Sequence, residues 1–295
     1  MAGEGRVMVD FLYEMWVYQY PKVAVGMFIL WLTYLKSRVE CTVDFGWVMN
    51  QFIVGVSLCL QYYHNVNYRG WVEFGIVCLW FFLLGGMLFL RVLSGYSDQR
   101  YVNLAESSKS KSLYFLFQYE LQAVLATLTS TPLYFVFRAY DETSVRWTFI
   151  VGASLSVIGI IGEHIADTQL RNYRKAKSEQ KKQKPIETQE ALQSGSTDEK
   201  KPLLGEDPRF PGVLKSGLWT KSRHPNLFFE LVIWFGFAVA GLNDFTISFV
   251  GFFGPCFLFY IMNNLTVPLT EKHMASSRPY WKEYEKETNK FLPFF

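Results

Sequence analysis

The densest run of residues able to do chemistry is Gly217-Leu218-Trp219-Thr220-Lys221-Ser222-Arg223-His224-Pro225-Asn226-Leu227-Phe228-Phe229-Glu230, a basic loop entering an apolar helix. Pro225 suits the first helical turn, where its missing N–H has no partner to lose. The helix is therefore expected to start near Arg223-His224-Pro225. Its free N–H groups and dipole, with Lys221 and Arg223 beside them, make an electropositive end fit for an anion. The bland alternative is a pair of flank charges that hold the helix at the membrane surface. His224 could donate to a phosphate, cap the helix or only cover it, and spacing leaves these open. Asn226, Glu230 and Trp234 follow at i, i+4 and i+8, so an amide, a carboxylate and an indole share one face of an otherwise apolar helix. A carboxylate in such a helix is costly and marks a candidate site.

A second polar stripe lies in Gly162-Glu163-His164-Ile165-Ala166-Asp167-Thr168-Gln169-Leu170-Arg171, where Glu163, Asp167 and Arg171 recur at i, i+4 and i+8. Two carboxylates on one face can accept from ribose hydroxyls or an adenine amine. The same spacing also stabilises a helix by a few tenths of a kcal/mol with no ligand. The basic loop expected on the same membrane face favours the ligand reading. Farther on come Glu271 and an aromatic, charged tail through Tyr280, Tyr284 and Phe291-Leu292-Pro293, which reads as an amphipathic segment on the membrane surface or over the loop. His64, His164 and His273 show no ligand spacing, and Cys41, Cys59, Cys78 and Cys256 form no CxxC pair, so neither a metal site nor a disulfide framework is expected.

The elements that must position these groups are membrane helices. In 295 residues the chain is 50% hydrophobic and 18% aromatic, with the apolar residues in long blocks. That predicts an all-α, polytopic membrane protein of about seven spans, each near the length that crosses a ~30 Å hydrocarbon layer. They are Val23–Leu35, Phe45–Tyr63, Trp71–Leu93, Leu113–Phe137, Trp147–Ala166, Asn226–Leu242 and Phe245–Leu265. Residues 1–21 read as an interfacial N-terminal segment, because Trp16 and several tyrosines mix there with Asp10 and Glu14. Met1 to Arg6 has no h-region, so the first span is expected to act as the targeting signal. Residues 22–295 form a single membrane domain in this reading, and 175–210 a disordered cytosolic insert rich in Lys, Gln, Ser and Pro. Positive charges in this insert, at Lys36, Arg38, Arg100, Lys109 and Lys111 predict the N-terminus outside and the C-terminus in the cytosol, although Arg69, Arg138 and Arg146 sit in outer loops. In the fourth span Tyr119 and Glu120 bring an acid and a hydroxyl to membrane depth.

Taken together, Glu163-x-x-Ala166-Asp167-x-Gln169, Gly217-Leu218-Trp219-x-x-Ser222-Arg223-His224-Pro225-Asn226-x-x-x-Glu230, Glu271 and Tyr280-x-x-x-Tyr284 resemble the DUF1295 family, which is related to the steroid 5α-reductase C-terminal domain. Asp44-Phe45-Gly46-Trp47, Arg91 and Asp98-x-Arg100-Tyr101 extend the resemblance from about Asp44 onward. It implies a membrane fold that binds NADPH in a pocket open to the cytosol and passes hydride to a carbon–carbon double bond conjugated to a carbonyl in a lipid. It would place Asp167, Arg223, His224, Asn226 and Glu230 around the cofactor, with Glu163, Arg171, Glu271 and Tyr284 in support. The chain departs from the family at Leu227 and Phe229, where a tyrosine and a glycine are usual. Met87 and Leu88 stand near Arg91 in place of the His-Tyr pair of the steroid reductases.

The function expected from these residues is NADPH-dependent reduction of a steroid-like or other lipid in a membrane, the endoplasmic reticulum first among organelles. Tyr119 and Glu120 are the candidate donors to the growing enolate. Two alternatives stand beside it: a catalytically silent membrane scaffold, suggested by Leu227 and Phe229, and a methyltransferase using S-adenosylmethionine, suggested by Arg223-His224-Pro225. No nucleic-acid partner is expected.

Overall fold

A computed structural model describes residues 2–64, 66–95, 99–106, 108–138, 147–194, 205–242, 247–276 and 278–293. Asp98 and Arg146 lie outside the described residues, as do the side chains of Arg100 and Lys181 to Lys184. The chain is 81% helix with no strand among the described residues. In order the helices are α1 (Ala2–Tyr13), α2 (Tyr20–Ser37), α3 (Thr42–Gln61), α4 (Tyr68–Leu93), α5 (Gln99–Glu106), α6 (Lys111–Thr129), α7 (Thr131–Phe137), α8 (Trp147–Ser194), α9 (Pro225–Ala240), α10 (Ser248–Ala275) and α11 (Trp281–Glu287).

Among the described residues α3, α4, Trp147–Gln180 of α8, and α10 are long and apolar enough to cross a bilayer, and α9 is a shorter apolar helix. The protein is an all-α, polytopic membrane protein. Its chain forms two compact units: residues Met1–Ile160 with Leu231–Thr270, and Ile161–Glu230 with Glu271–Phe295.

Unit 1 is a helical core around Met27, Val48, Val54, Leu58, Tyr119 and Leu133, all fully buried. Local signals set its helix ends. The Asn67 side chain accepts from the N–H groups of Arg69 and Gly70 at the start of α4, at 3.0 and 3.1 Å, and so satisfies two donors the helix cannot. Where α8 meets α9 within this unit, Gly152 and Gly236 leave no room for a Cβ on either side. Small residues of this kind let two membrane helices approach backbone to backbone. The Ser156 hydroxyl donates to the Ile233 carbonyl at 3.1 Å in the same contact.

Several boundaries differ from the sequence expectation. The stretch Leu113–Phe137 is two helices, because Pro132 cannot donate and a new first turn begins at Thr131. The final apolar helix runs to Ala275, so Glu271 lies on it rather than beyond it. The N-terminal segment expected at the interface is helical, and Phe11, Met15 and Gln19 are buried in unit 1. The backbone of α8 stays helical through Ser194, within the stretch whose composition predicts disorder. Near the end of that stretch Phe210 is 3% exposed, in a cluster with Val213, Trp281 and Tyr284. Aromatic burial there outweighs the polar composition that precedes it.

Unit 2 is built on α8 from Ile161 onward, the loop 205–224, the first turns of α9, and the segment from Glu271 through α11. A second cluster joins Tyr173, Leu214 and Trp219. The loop is tied to the C-terminal segment by a parallel bridge between Ser222 and Asn289.

Candidate cofactor site

Four of the candidate residues lie on one seam of unit 2, where α8 faces the start of α9. The Asn226 amide donates to Asp167 Oδ1 at 3.0 Å. Four residues before Asp167 on α8 comes Glu163, and four after Asn226 on α9 comes Glu230, so these two carboxyls occupy facing positions one turn along the seam. Glu163 is 4% exposed and Glu230 7%. Between them the helices touch closely, because the Phe229 ring fills the space that a Cβ on Gly162 would need. The phenylalanine that departs from the family pattern thus packs onto a glycine of the facing helix.

The loop that precedes α9 is held from the same helix. Gly217 takes a φ of +57°, the left-handed region that suits glycine. This lets the Leu218 N–H donate to Gln169 Oε1 at 3.1 Å. The Trp219 indole N–H donates to the Ala166 carbonyl at 3.0 Å.

Arg223 and His224, expected to form an anion seat, face groups of the chain itself. Arg223 Nε donates to Glu271 Oε1 at 2.7 Å and Nη2 to Oε2 at 3.3 Å, a two-pronged grip on one carboxylate. Nη1 donates to the carbonyls of Glu285 and Thr288, at 3.1 and 2.6 Å. His224 Nε2 lies 2.9 Å from Glu271 Oε1. Main-chain bonds complete the clasp: the N–H of Arg223 donates to the Asn289 carbonyl at 2.8 Å, that of His224 to Lys290 at 3.1 Å, and that of Asn289 back to Lys221 at 3.0 Å. Just before α9 the backbone donors of Arg223 and His224 are therefore taken by carbonyls of the C-terminal segment. The Arg223 side chain is 8% exposed. Arg171 and Lys221, beside the seam and the loop, are exposed.

Tyr284, expected in support of the cofactor, is 2% exposed in the cluster with Phe210, Val213 and Trp281. Burial pushes its hydroxyl up to about 12. Trp234, on the expected polar face of α9, belongs to unit 1, where its ring meets Trp80 edge-on at 5.6 Å. Tyr119 and Glu120 are also in unit 1. Tyr119 is fully buried with its ring 6.3 Å from that of Tyr34, whereas Glu120 is half-buried. Neighbouring positions on a helix point about 100° apart, so the two do not address one point.

Unit 1 also holds buried polar groups that the sequence reading passed over. Glu73 on α4 is 0% exposed, and neither carboxyl oxygen has a hydrogen-bond partner among the described residues. Asn50 on α3 is equally buried with both amide atoms unpaired, and beside it Gln51 donates to the Thr129 hydroxyl at 3.0 Å. The rule that singles out Glu120, an acid inside an apolar span, applies to Glu73 as well. A smaller cluster in this unit joins residues named for the family resemblance: the Tyr101 hydroxyl donates to Asp44 Oδ1 at 2.6 Å, and Arg91 lies 3.7 Å from Asp44 Oδ2.

No curated protein and no solved structure matches the chain. The family described as protein of unknown function (DUF1295) matches residues 30–288, nearly the whole chain with its α8–α9 seam and Arg223–Glu271 clasp, and the protein belongs to that family.

Proposed function

We propose that the protein is an NADPH-dependent reductase of a conjugated carbon–carbon double bond in a steroid-like or other lipid. The observation that carries this reading is the seam of Glu163, Asp167, Asn226 and Glu230, where acceptors and an amide are gathered at the start of a membrane helix. This donor set suits ribose hydroxyls and an adenine amine, which need acceptors held in fixed positions. When bound, NADPH supplies a hydride to the β-carbon of the enone, and a proton completes the α-carbon. Arg171 and Lys221 would meet the phosphates, since Arg223 grips Glu271. Arg223 and His224 act as positioning residues that hold Glu271 and the C-terminal segment against the cofactor loop. A seven-span topology with the C-terminus in the cytosol, and residence in the endoplasmic reticulum, belong to the same proposal.

The second reading is a catalytically silent scaffold, favoured by the engagement of Arg223 with the chain's own groups. Calorimetry on the detergent-purified full chain separates the readings. NADPH is expected to bind, and Asp167→Ala and Arg171→Ala each to weaken it by about tenfold, the loss of one charge-assisted bond. Binding of S-adenosylmethionine instead of NADPH, or NADPH binding unchanged in both variants, overturns the site. No binding of either nucleotide leaves the scaffold.

A further inference from the structure

Unit 1 holds a half-open cavity of about 290 Å³ bounded by Phe11, Leu12, Met15 and Trp16 at the N-terminal end, Leu128 on α6 and Phe253 on α10. Its lining is apolar. Thr127 and Thr131 border it, but the Thr127 hydroxyl donates to the Ala123 carbonyl at 2.9 Å, and the buried Thr131 hydroxyl lies against Gly254. Neither hydroxyl is turned to the space. An apolar cavity of ~150 Å³ stays dry and takes up benzene. One of twice that volume has room for roughly a dozen carbon atoms on the same scale.

The wall and the mouth indicate what enters. Met15 and Trp16 sit in a widened turn, Glu14–Gln19, that interrupts the helix between α1 and α2. Glu14 holds that turn, accepting from Gln19 at 2.6 Å and from Gln61 at 2.5 Å. Such widened turns are frequent at functional sites. At the rim Leu12 is 47% exposed and Phe253 53%, and Val9 and Phe249 nearby are exposed as well. Phe253 belongs to a helix long and apolar enough to span the bilayer. In a membrane protein an exposed apolar rim of this kind favours contact with hydrocarbon.

We infer that this cavity is a binding site for the end of one hydrocarbon chain of a bilayer lipid. The site lies wholly within unit 1 and is independent of the reductase reading. Its test uses the full chain in phosphatidylcholine vesicles doped with a phosphatidylcholine whose acyl chain ends in a diazirine. After irradiation, adducts are mapped by mass spectrometry. They are expected to concentrate on Phe11 to Trp16 and on Leu128, about tenfold above the exposed face around Leu60 and Leu93, a factor that corresponds to about 1.4 kcal/mol. Leu128→Trp, which fills the space, is expected to abolish that excess while the background on Leu60 and Leu93 persists. Leu12→Trp blocks from the opposite wall and serves if Leu128→Trp does not fold, as judged by thermal unfolding. Adducts spread evenly over all exposed apolar faces, or an excess that survives in the folded variants, overturn the site.

Discussion

Arg223 in unit 2 and Glu73 in unit 1 are both ionisable residues almost removed from solvent, yet they are treated in opposite ways. Arg223 holds Glu271 with two bonds and two backbone carbonyls with two more. Among the described residues Glu73 has no hydrogen-bond partner for either oxygen, and Asn50 none for its amide. In unit 2 the described buried polar groups left over are the hydroxyls of Thr168 and Thr288, far cheaper to bury than a carboxyl. A paired charge is costly to disturb, because removing one partner strands the other. An unpaired acid costs its own desolvation and is kept only where something other than stability holds it. The difference separates a clasp whose polar chemistry maintains the fold from a buried acid whose presence stability does not explain.

Three measurements can break or sharpen this contrast. The largest effect is expected for Arg223→Ala, which leaves Glu271 with His224 alone and removes two side-chain bonds to the C-terminal segment. A loss of about 3–5 kcal/mol should appear in thermal unfolding, with partial recovery when Glu271→Leu is added. A loss under about 1 kcal/mol would rank the clasp with surface pairs and erase the contrast. Next comes Glu73→Leu, which removes an unsatisfied carboxyl and is expected to stabilise the protein by about 1–3 kcal/mol. Destabilisation of that size would show that Glu73 has a partner in the membrane, and unit 1 would then resemble unit 2. The smallest effect concerns the surface of unit 2. Arg209, by a side-chain bond, holds the Asp207 carboxyl below its ordinary range, and Lys215 and Arg209 do the same for Glu287. Both folded values are depressed, so the stability these groups add is present above the ordinary carboxylate range near ~4. It is lost as pH falls through their lower folded values. A melting-temperature profile from pH 7 to 3 should lose this minor acid-limb component in Arg209→Ala. An acid loss as large as that of Arg223→Ala would deny that burial sets the ranking.

Periodicity and composition made the helices and the membrane class legible, and the i, i+4 spacing carried the α8–α9 seam. Asp167 and Asn226 meet as their helix faces require. What the chain order concealed was long-range pairing. Nothing near Arg223 announces that its guanidinium meets Glu271, or that its N–H and that of His224 donate to the carbonyls of Asn289 and Lys290. Phe229 looked like an intruder because its compensation, Gly162, lies on another helix. Pro132 could have signalled the break between α6 and α7, but the apolar run around it hid the turn. Glu73 needed only the rule already applied to Glu120.

The clasp also sets an order of events during synthesis. Thr288, whose carbonyl takes an Arg223 bond, follows that arginine by 65 residues, which at ~5–20 residues per second take roughly 3–13 s to make. In that interval the whole of α10 is produced. Unit 1 has all its residues once Thr270 is made, whereas Arg223 in unit 2 waits longer for its partners. A newborn chain therefore passes through a stage with every residue of one unit made and Arg223 still without its C-terminal carbonyls. That stage, rather than the finished protein, is the form most open to capture by anionic lipid or by a chaperone.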